Sequence, residues 1–206
     1  MNELKFDKIV KSNLEDITVI EYGIIEGNNT IVFIKSGQNG SIYGYNNKYI
    51  KMAKRLNKKY KCTVICSSNP FDGNNPLDNA FTVIEKYTSK FEDYKVYYLG
   101  FSNGALIGAY FGINYPKIKR MLLVNMPLIY DINLIKNNLN NLNNFNNEKV
   151  TIVYGSLDYS INLLENIKDI KSNRVDIKVI LNEDHYFSKD EEDFYSLPEK
   201  YLFYKE

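Results

Sequence analysis

Along the chain, short apolar runs rich in Val, Ile and Tyr alternate with longer stretches in which apolar residues return every three or four positions. The first pattern predicts buried strands and the second amphipathic helices. Strands are expected over 5–10, 17–25, 30–34, 62–66, 95–99, 119–125, 150–154 and 175–181, and helices over 45–60, 77–91, 105–115 and 132–142. Residues 161–170 also repeat at helical spacing, and a terminal helix over 191–204 is expected to break near Pro198. Such alternation predicts an α/β domain built on a mainly parallel sheet of seven or eight strands. Crossover helices then place the carboxyl ends of the parallel strands on one edge, where open sheets of this kind bind ligands.

No linker rich in Pro, Gly or Ser and no internal repeat divides the 206 residues, so a single domain over 1–206 is expected. The run from Asn137 to Asn147 approaches low complexity and is assigned no role. From Val96 to Pro116 no residue is charged, which is long enough for a membrane span of ~20 residues. Strand chemistry in its first third, with Ser102, Asn103, Asn114 and the glycines at 100, 104, 108 and 112, favours strand, turn and helix instead.

Charge narrows the partners. Lys and Arg total 26 against 25 Asp and Glu, and the basic cluster from Lys51 to Lys61 reads as the solvated face of a helix. No nucleic-acid partner is expected. The start, Met1-Asn2-Glu3-Leu4-Lys5, lacks the apolar core of a signal peptide, so a cytoplasmic location is expected. Cys62 and Cys66 share one strand, where four residues of rise set them about 13 Å apart, too far for a disulfide. They read as small core residues, and with one histidine in the chain no metal site is expected.

The candidate chemistry begins at Gly100-Phe101-Ser102-Asn103-Gly104, between a strand and a helix. At average residue usage such a pentapeptide arises by chance roughly 0.07 times in a chain this long, so its context must carry the case. A serine on so tight a turn is strained, and glycine two before and two after removes the collision that a side chain would cause. Ser102, Asp158 and His185 each follow a strand's carboxyl end and so share one edge of the sheet. Serine needs a base to take its proton, and the base needs a carboxylate to hold its tautomer. His185 is the one imidazole available. Asp158 has a second reading, as the cap of the helical stretch near Ile161, and Asp131 is an alternative acid. Asp184 adjoins His185, but neighbours on an extended segment point apart.

The chain resembles the α/β-hydrolase family in three segments, Tyr98-Leu99-Gly100-Phe101-Ser102-Asn103-Gly104, Val153-Tyr154-Gly155-Ser156-Leu157-Asp158 and Asn182-Glu183-Asp184-His185. Their order matches that family's nucleophile, acid and histidine. The resemblance implies an α/β-hydrolase fold with catalytic Ser102, His185 and Asp158, and backbone oxyanion donors at Asn103 and at Gln38 of the loop Ser36-Gly37-Gln38-Asn39-Gly40. Family members often carry His-Gly before the oxyanion residue; here Ser36 stands in the histidine's place. Only about one helix's worth of chain separates the strands ending at 125 and beginning at 150, so no substantial lid and an open site are expected.

Gly37, Phe101 and Tyr159 are the expected substrate-binding residues, with Tyr43, Phe71, Met126 and Tyr186 as further walls. The resemblance then implies a serine hydrolase of short or accessible carboxylic esters or thioesters, needing no cofactor, with a small-molecule partner. Alternatives are a non-catalytic binding or scaffold protein on the same fold and an acyltransferase using the same residues.

Overall fold

The alternation of patterns emerges in space as alternating strands and helices. The structure, a computed structural model, describes residues 4–14, 18–70, 76–128, 132–167, 170 and 172–204. In chain order these form β1 (Lys8–Leu14), β2 (Thr18–Ile25), β3 (Asn28–Lys35), α1 (Lys48–Tyr60), β4 (Cys62–Ser67), α2 (Pro76–Thr88), β5 (Lys95–Phe101) and α3 (Asn103–Phe111). There follow β6 (Ile118–Val124), α4 (Ile132–Asn144), β7 (Lys149–Gly155), a 3-10 stretch at Tyr159–Ile167, β8 (Val175–Ile180) and α5 (Glu191–Tyr201).

The strands make one eight-stranded sheet in the order β1-β2-β4-β3-β5-β6-β7-β8. β1 pairs with β2, and β2 with β4, antiparallel; every pairing from β4 through β3 to β8 is parallel. Helices cover both faces, so the central strands are buried on both sides and read as continuous apolar runs. Successive residues of β3 show it: Ile31 and Phe33 join the core with Leu77, Ala80 and Ala105, whereas Val32 and Ile34 join that with Ile50, Met52, Phe194 and Leu197.

The charge-free stretch divides into β5 and α3, and no described helix is long and apolar enough to cross a membrane. α3 lies close on the sheet: a Cβ at Gly108 would sit 2.4 Å from the Tyr98 ring. Cys62 and Cys66 are buried free thiols.

Three elements depart from expectation, the first being β1, which forms at Lys8–Leu14 where the pattern predicts 5–10. Pro198 does not break the last helix, which runs to Tyr201 with Pro198 buried inside it. The lost backbone donor is offset by anchoring on either side, since Phe194, Leu197 and Leu202 are all buried in one core. Where 161–170 is expected to be α-helical, the described stretch Tyr159–Ile167 is 3-10, entered by a bond from Ile161 N–H to Asp158 O at 3.1 Å. Between β6 and β7, α4 is the one helix among the described residues, leaving no room there for a lid domain.

Candidate active site

β5 ends in the sharp turn that its glycines predict. Ser102 has φ 49° and ψ −119°, a sparsely populated conformation for a residue with a side chain. It is held from both directions, its N–H donating to Val124 O at 2.9 Å and its C=O accepting from Ala105 N–H at 2.9 Å. A Cβ at Gly104 would fall 2.4 Å from Lys35 O, and one at Gly100 would fall 2.5 Å from Gly104 O. The glycines therefore let three backbone segments meet beneath the serine.

The loop after β3 runs alongside. A Cβ at Gly37 would lie 3.4 Å from Ser102 Cβ, so this loop touches the elbow, and Gln38 borders the same cleft as Ser102. Asn103 opens α3, where the first N–H groups have no acceptor within the helix. Ser36, in the place where the family often has histidine, is fully buried, and its one hydroxyl proton is shared between Gly40 O and Ser67 O at 3.1 and 3.0 Å. It closes the loop on itself. Asn69 ties loop to elbow: its Nδ2 donates to Ser36 O at 3.0 Å and Asn103 Oδ1 at 2.9 Å, while its main chain exchanges bonds with Asn39 and Gly40.

Beneath lies Lys35, fully buried, its ammonium donating to Ser67 Oγ at 3.2 Å and Ser68 O at 2.9 Å. Burial pushes its pKa down to about 7.

On the far side, β7 delivers Asp158 and the segment after β8 delivers His185. His185 Nδ1 lies 2.5 Å from Asp158 Oδ2 and its Nε2 lies 3.1 Å from Ser102 Oγ. A carboxylate can only accept, so it holds the proton on Nδ1 and leaves the Nε2 lone pair facing the serine hydroxyl. Asp158 also makes the cap contact: its other oxygen accepts from Ser160 N–H at 2.7 Å at the start of the 3-10 stretch. Its side chain is wholly buried, whereas His185 retains 19% exposure.

The histidine segment is wired by side chains. Asn125 Nδ2 donates to Asp184 O and His185 O at 3.2 and 2.8 Å, and its Oδ1 accepts from Gly155 N–H at 2.9 Å. Lys48 Nζ donates to Tyr186 O. Three successive carbonyls around His185 are thus held by two side chains from elsewhere in the chain. Asp184 does not serve the imidazole; its carboxylate accepts from Tyr186 N–H, Ser188 N–H and the Ser188 hydroxyl. Burial would raise its pKa, and those hydrogen bonds hold it lower than usual. Glu183, also buried, accepts from the N–H groups of Lys189 and Asp190. A Cβ at Gly155 would lie 2.4 Å from Glu183 O, so the acid turn and the histidine segment press together.

Ser102 and His185 open on a cleft of about 200 Å³ lined also by Gly37, Gln38, Phe101, Tyr186, Lys48 and Phe194. Phe101 stacks on Tyr49 and Phe194 with ring centroids 5.3 and 4.9 Å away. Lys48 is the one Lys, Arg, Asp or Glu among the described lining residues; burial lowers its pKa, against the raising influence of Asp184, Glu183 and Glu191. Tyr159 stacks on the His185 ring with centroids 4.9 Å apart. Tyr43 and Met126 pack into the two cores, and Phe71 and Asp131 lie outside the described residues. A larger hollow, about 450 Å³, lies along β8 and contains neither Ser102 nor His185.

Sequence reasoning missed Asn69, Asn125, Lys35 and Lys48. The first two carried a usable signal, since Asn125 and Asn69 stand one and two residues past the ends of β6 and β4, on the edge that singled out the other three.

No protein-family model matches the chain, and no curated protein matches its sequence. Solved structures do match its fold. An alpha-beta serine hydrolase homologue from Coxiella burnetii superposes with a TM-score of 0.68 at 16% identity, covering 93% of this chain and 95% of its own. The esterase domain of a Rhodothermus marinus protein gives 0.65 at 11% identity, covering 95% and 99%. An alpha/beta serine hydrolase without lid from Xanthomonas campestris gives 0.63 at 15% identity, covering 96% and 95%. The strand order, the elbow and this likeness agree: the chain has the α/β-hydrolase fold.

Proposed function

On the α/β-hydrolase fold as premise, we propose that this chain is a serine hydrolase of carboxylic esters or thioesters with short or accessible acyl groups. The observation that carries the proposal is the unbroken hydrogen-bond chain from Ser102 Oγ through His185 to the buried Asp158 carboxylate, on a strained serine. Distances beyond hydrogen-bond reach would have favoured a non-catalytic scaffold; 3.1 and 2.5 Å do not.

In this scheme Ser102 Oγ attacks the carbonyl carbon while His185 Nε2 takes its proton. The negative charge that develops on the carbonyl oxygen is met by the backbone N–H groups of Asn103 and Gln38, an arrangement in which one donor is worth about 3 to 4 kcal/mol. His185 then protonates the departing alcohol or thiol, and water, deprotonated by the same imidazole, releases the acid and restores Ser102. Asp158 keeps the ring oriented and stabilises the imidazolium. No step calls for a metal or organic cofactor. The small cleft, below the usual ~300 Å³ of a drug-sized site, supports short acyl groups over long chains.

A fluorophosphonate probe tests this directly. Native protein is expected to be labelled at Ser102, and Ser102→Ala or heat-unfolded protein to stay unlabelled. An unlabelled native protein that also fails to cleave acetyl and butyryl model esters and thioesters would overturn the proposal.

A further inference from the structure

β8 is the outermost strand of the sheet, and among the described residues nothing pairs with its free edge. Its sequence is Val175-Asp176-Ile177-Lys178-Val179-Ile180. Arg174 O accepts from Val150 N–H and Ile180 O from Ser156 N–H, so the even-numbered residues direct their peptide groups to β7. By the two-residue period of a strand, Ile177 and Val179 direct theirs outward, as Val175 does its C=O, its N–H donating to Ser172 O at 3.1 Å. Ile177 and Val179 are also 37% and 43% exposed, and Leu181 just beyond is 75% exposed. An exposed apolar edge is a template for pairing with another chain, and proteins normally blunt it.

We propose that this edge pairs antiparallel with β8 of a second copy of the chain, about a two-fold axis at Ile177. In that register Ile177 faces its own copy in a hydrogen-bonded pair, and Val175 faces Val179 likewise. The N–H groups of Ile177 and Val179 donate to the outward carbonyls of Ile177 and Val175 on the other copy. Asp176 falls opposite Lys178, and Lys178 opposite Asp176, at the non-hydrogen-bonded positions where Cα atoms approach to about 4.5 Å and side chains meet closest. Asp176 already lies 3.1 Å from Lys149 Nζ on β7, so its carboxylate would sit between two ammonium groups.

Moving the axis by one residue destroys this match, for an axis at Asp176 or Lys178 sets that residue against its own like charge. The opposite edge of the sheet offers no such fit: β1 carries Lys8 and Lys11 and no carboxylate. The strand is thus self-complementary in charge, apolar face and backbone polarity at once, as a two-fold interface must be.

The full chain, weighed by light scattering across a dilution series, is expected to reach a mass twice its 24.0 kDa. Asp176→Lys and Lys178→Asp alone should each weaken self-association at least tenfold, because each sets like charges opposite one another. Mixing the two variants should restore the dimer, since each then meets its complement, and that recovery also shows that both are folded. Ile177→Cys should cross-link under mild oxidation, as hydrogen-bonded pairs hold Cα atoms about 5.5 Å apart and the native Cys62 and Cys66 are buried. A native chain that stays at 24.0 kDa at every concentration, a dimer indifferent to either reversal, or a mixture that remains monomeric would each overturn the proposal.

Discussion

Around Ser102 the packing is backbone against backbone, whereas around His185 side chains hold the main chain in place. Lys35 O, Gly104 and the turn at Ser102 meet so closely that only glycine fits, and the serine's own conformation is secured by main-chain bonds to Val124 and Ala105. Among the described residues, the histidine segment meets backbone closely only at Gly155, where a Cβ would lie 2.4 Å from Glu183 O. Its segment hangs on Asn125 and Lys48 from outside and on Asp184 and Glu183 from within. One side should therefore fail abruptly, through steric collision, and the other by degrees, as individual hydrogen bonds are removed.

Asp158→Asn strikes the joint between the two sides and should have the largest effect. The amide presents a donor to Nδ1, which favours the wrong tautomer, and kcat on a model ester is expected to fall about 10⁴-fold with the fold intact. Steady-state rates with a circular dichroism control measure it; a loss under tenfold would remove Asp158 as the orienting acid.

Asn125→Ala tests the side-chain half. It frees the carbonyls of Asp184 and His185 and leaves Gly155 N–H without its acceptor, so the imidazole is misplaced and kcat should drop about 10²-fold, with KM moving less. The rate of probe labelling should fall in parallel. Unchanged labelling would show that the histidine segment holds its place without Asn125.

Gly104→Ala tests the backbone half. Its methyl group would have to displace Lys35 O from 2.4 Å, an overpacking expected to cost about 1–3 kcal/mol or more, seen as a lower melting temperature. The His185–Asp158 pair is untouched, so the comparison predicts loss of folded protein first and of activity with it. A normal melting temperature would mean that the elbow is less tightly packed than its contacts indicate.

The last effect concerns Lys35 and is read in the pH dependence of stability rather than in catalysis. Its pKa is about 7 in the folded chain and about 10.4 in an unfolded one. Between those values the unfolded chain binds more protons, so stability should rise with pH from about 7 to about 10 and gain no slope from this group below 7. Lys35→Met should flatten that rise in urea melts taken at several pH values. An identical slope in both proteins would mean that Lys35 keeps an ordinary pKa.

Much of this was legible in the residues. The β8 and β5 runs, the apolar spacing of α1 and the glycines flanking Ser102 are local patterns with a local physical cause, and the alternation of element types dictates a parallel sheet. Ser102, Asp158 and His185 stood out because each follows a strand that ends on the same edge. Lys48 shows where such reading stops: no local pattern sets it apart within α1, yet it donates to Tyr186 O beside the histidine. Pro198 predicts a break, whereas burial of its neighbours keeps the helix whole.

The sequence by itself determined the element order, the elbow and the residues able to do acid–base work, since all of these follow from spacing and residue chemistry within a short window. Tertiary structure alone decided what holds them. The bond from Asn125 to His185 spans 60 positions and that from Lys48 to Tyr186 spans 138, and no local period records either. Such contacts exist only once the sheet has brought its strand ends to one edge, where the polar groups of one turn meet the unpaired carbonyls of another.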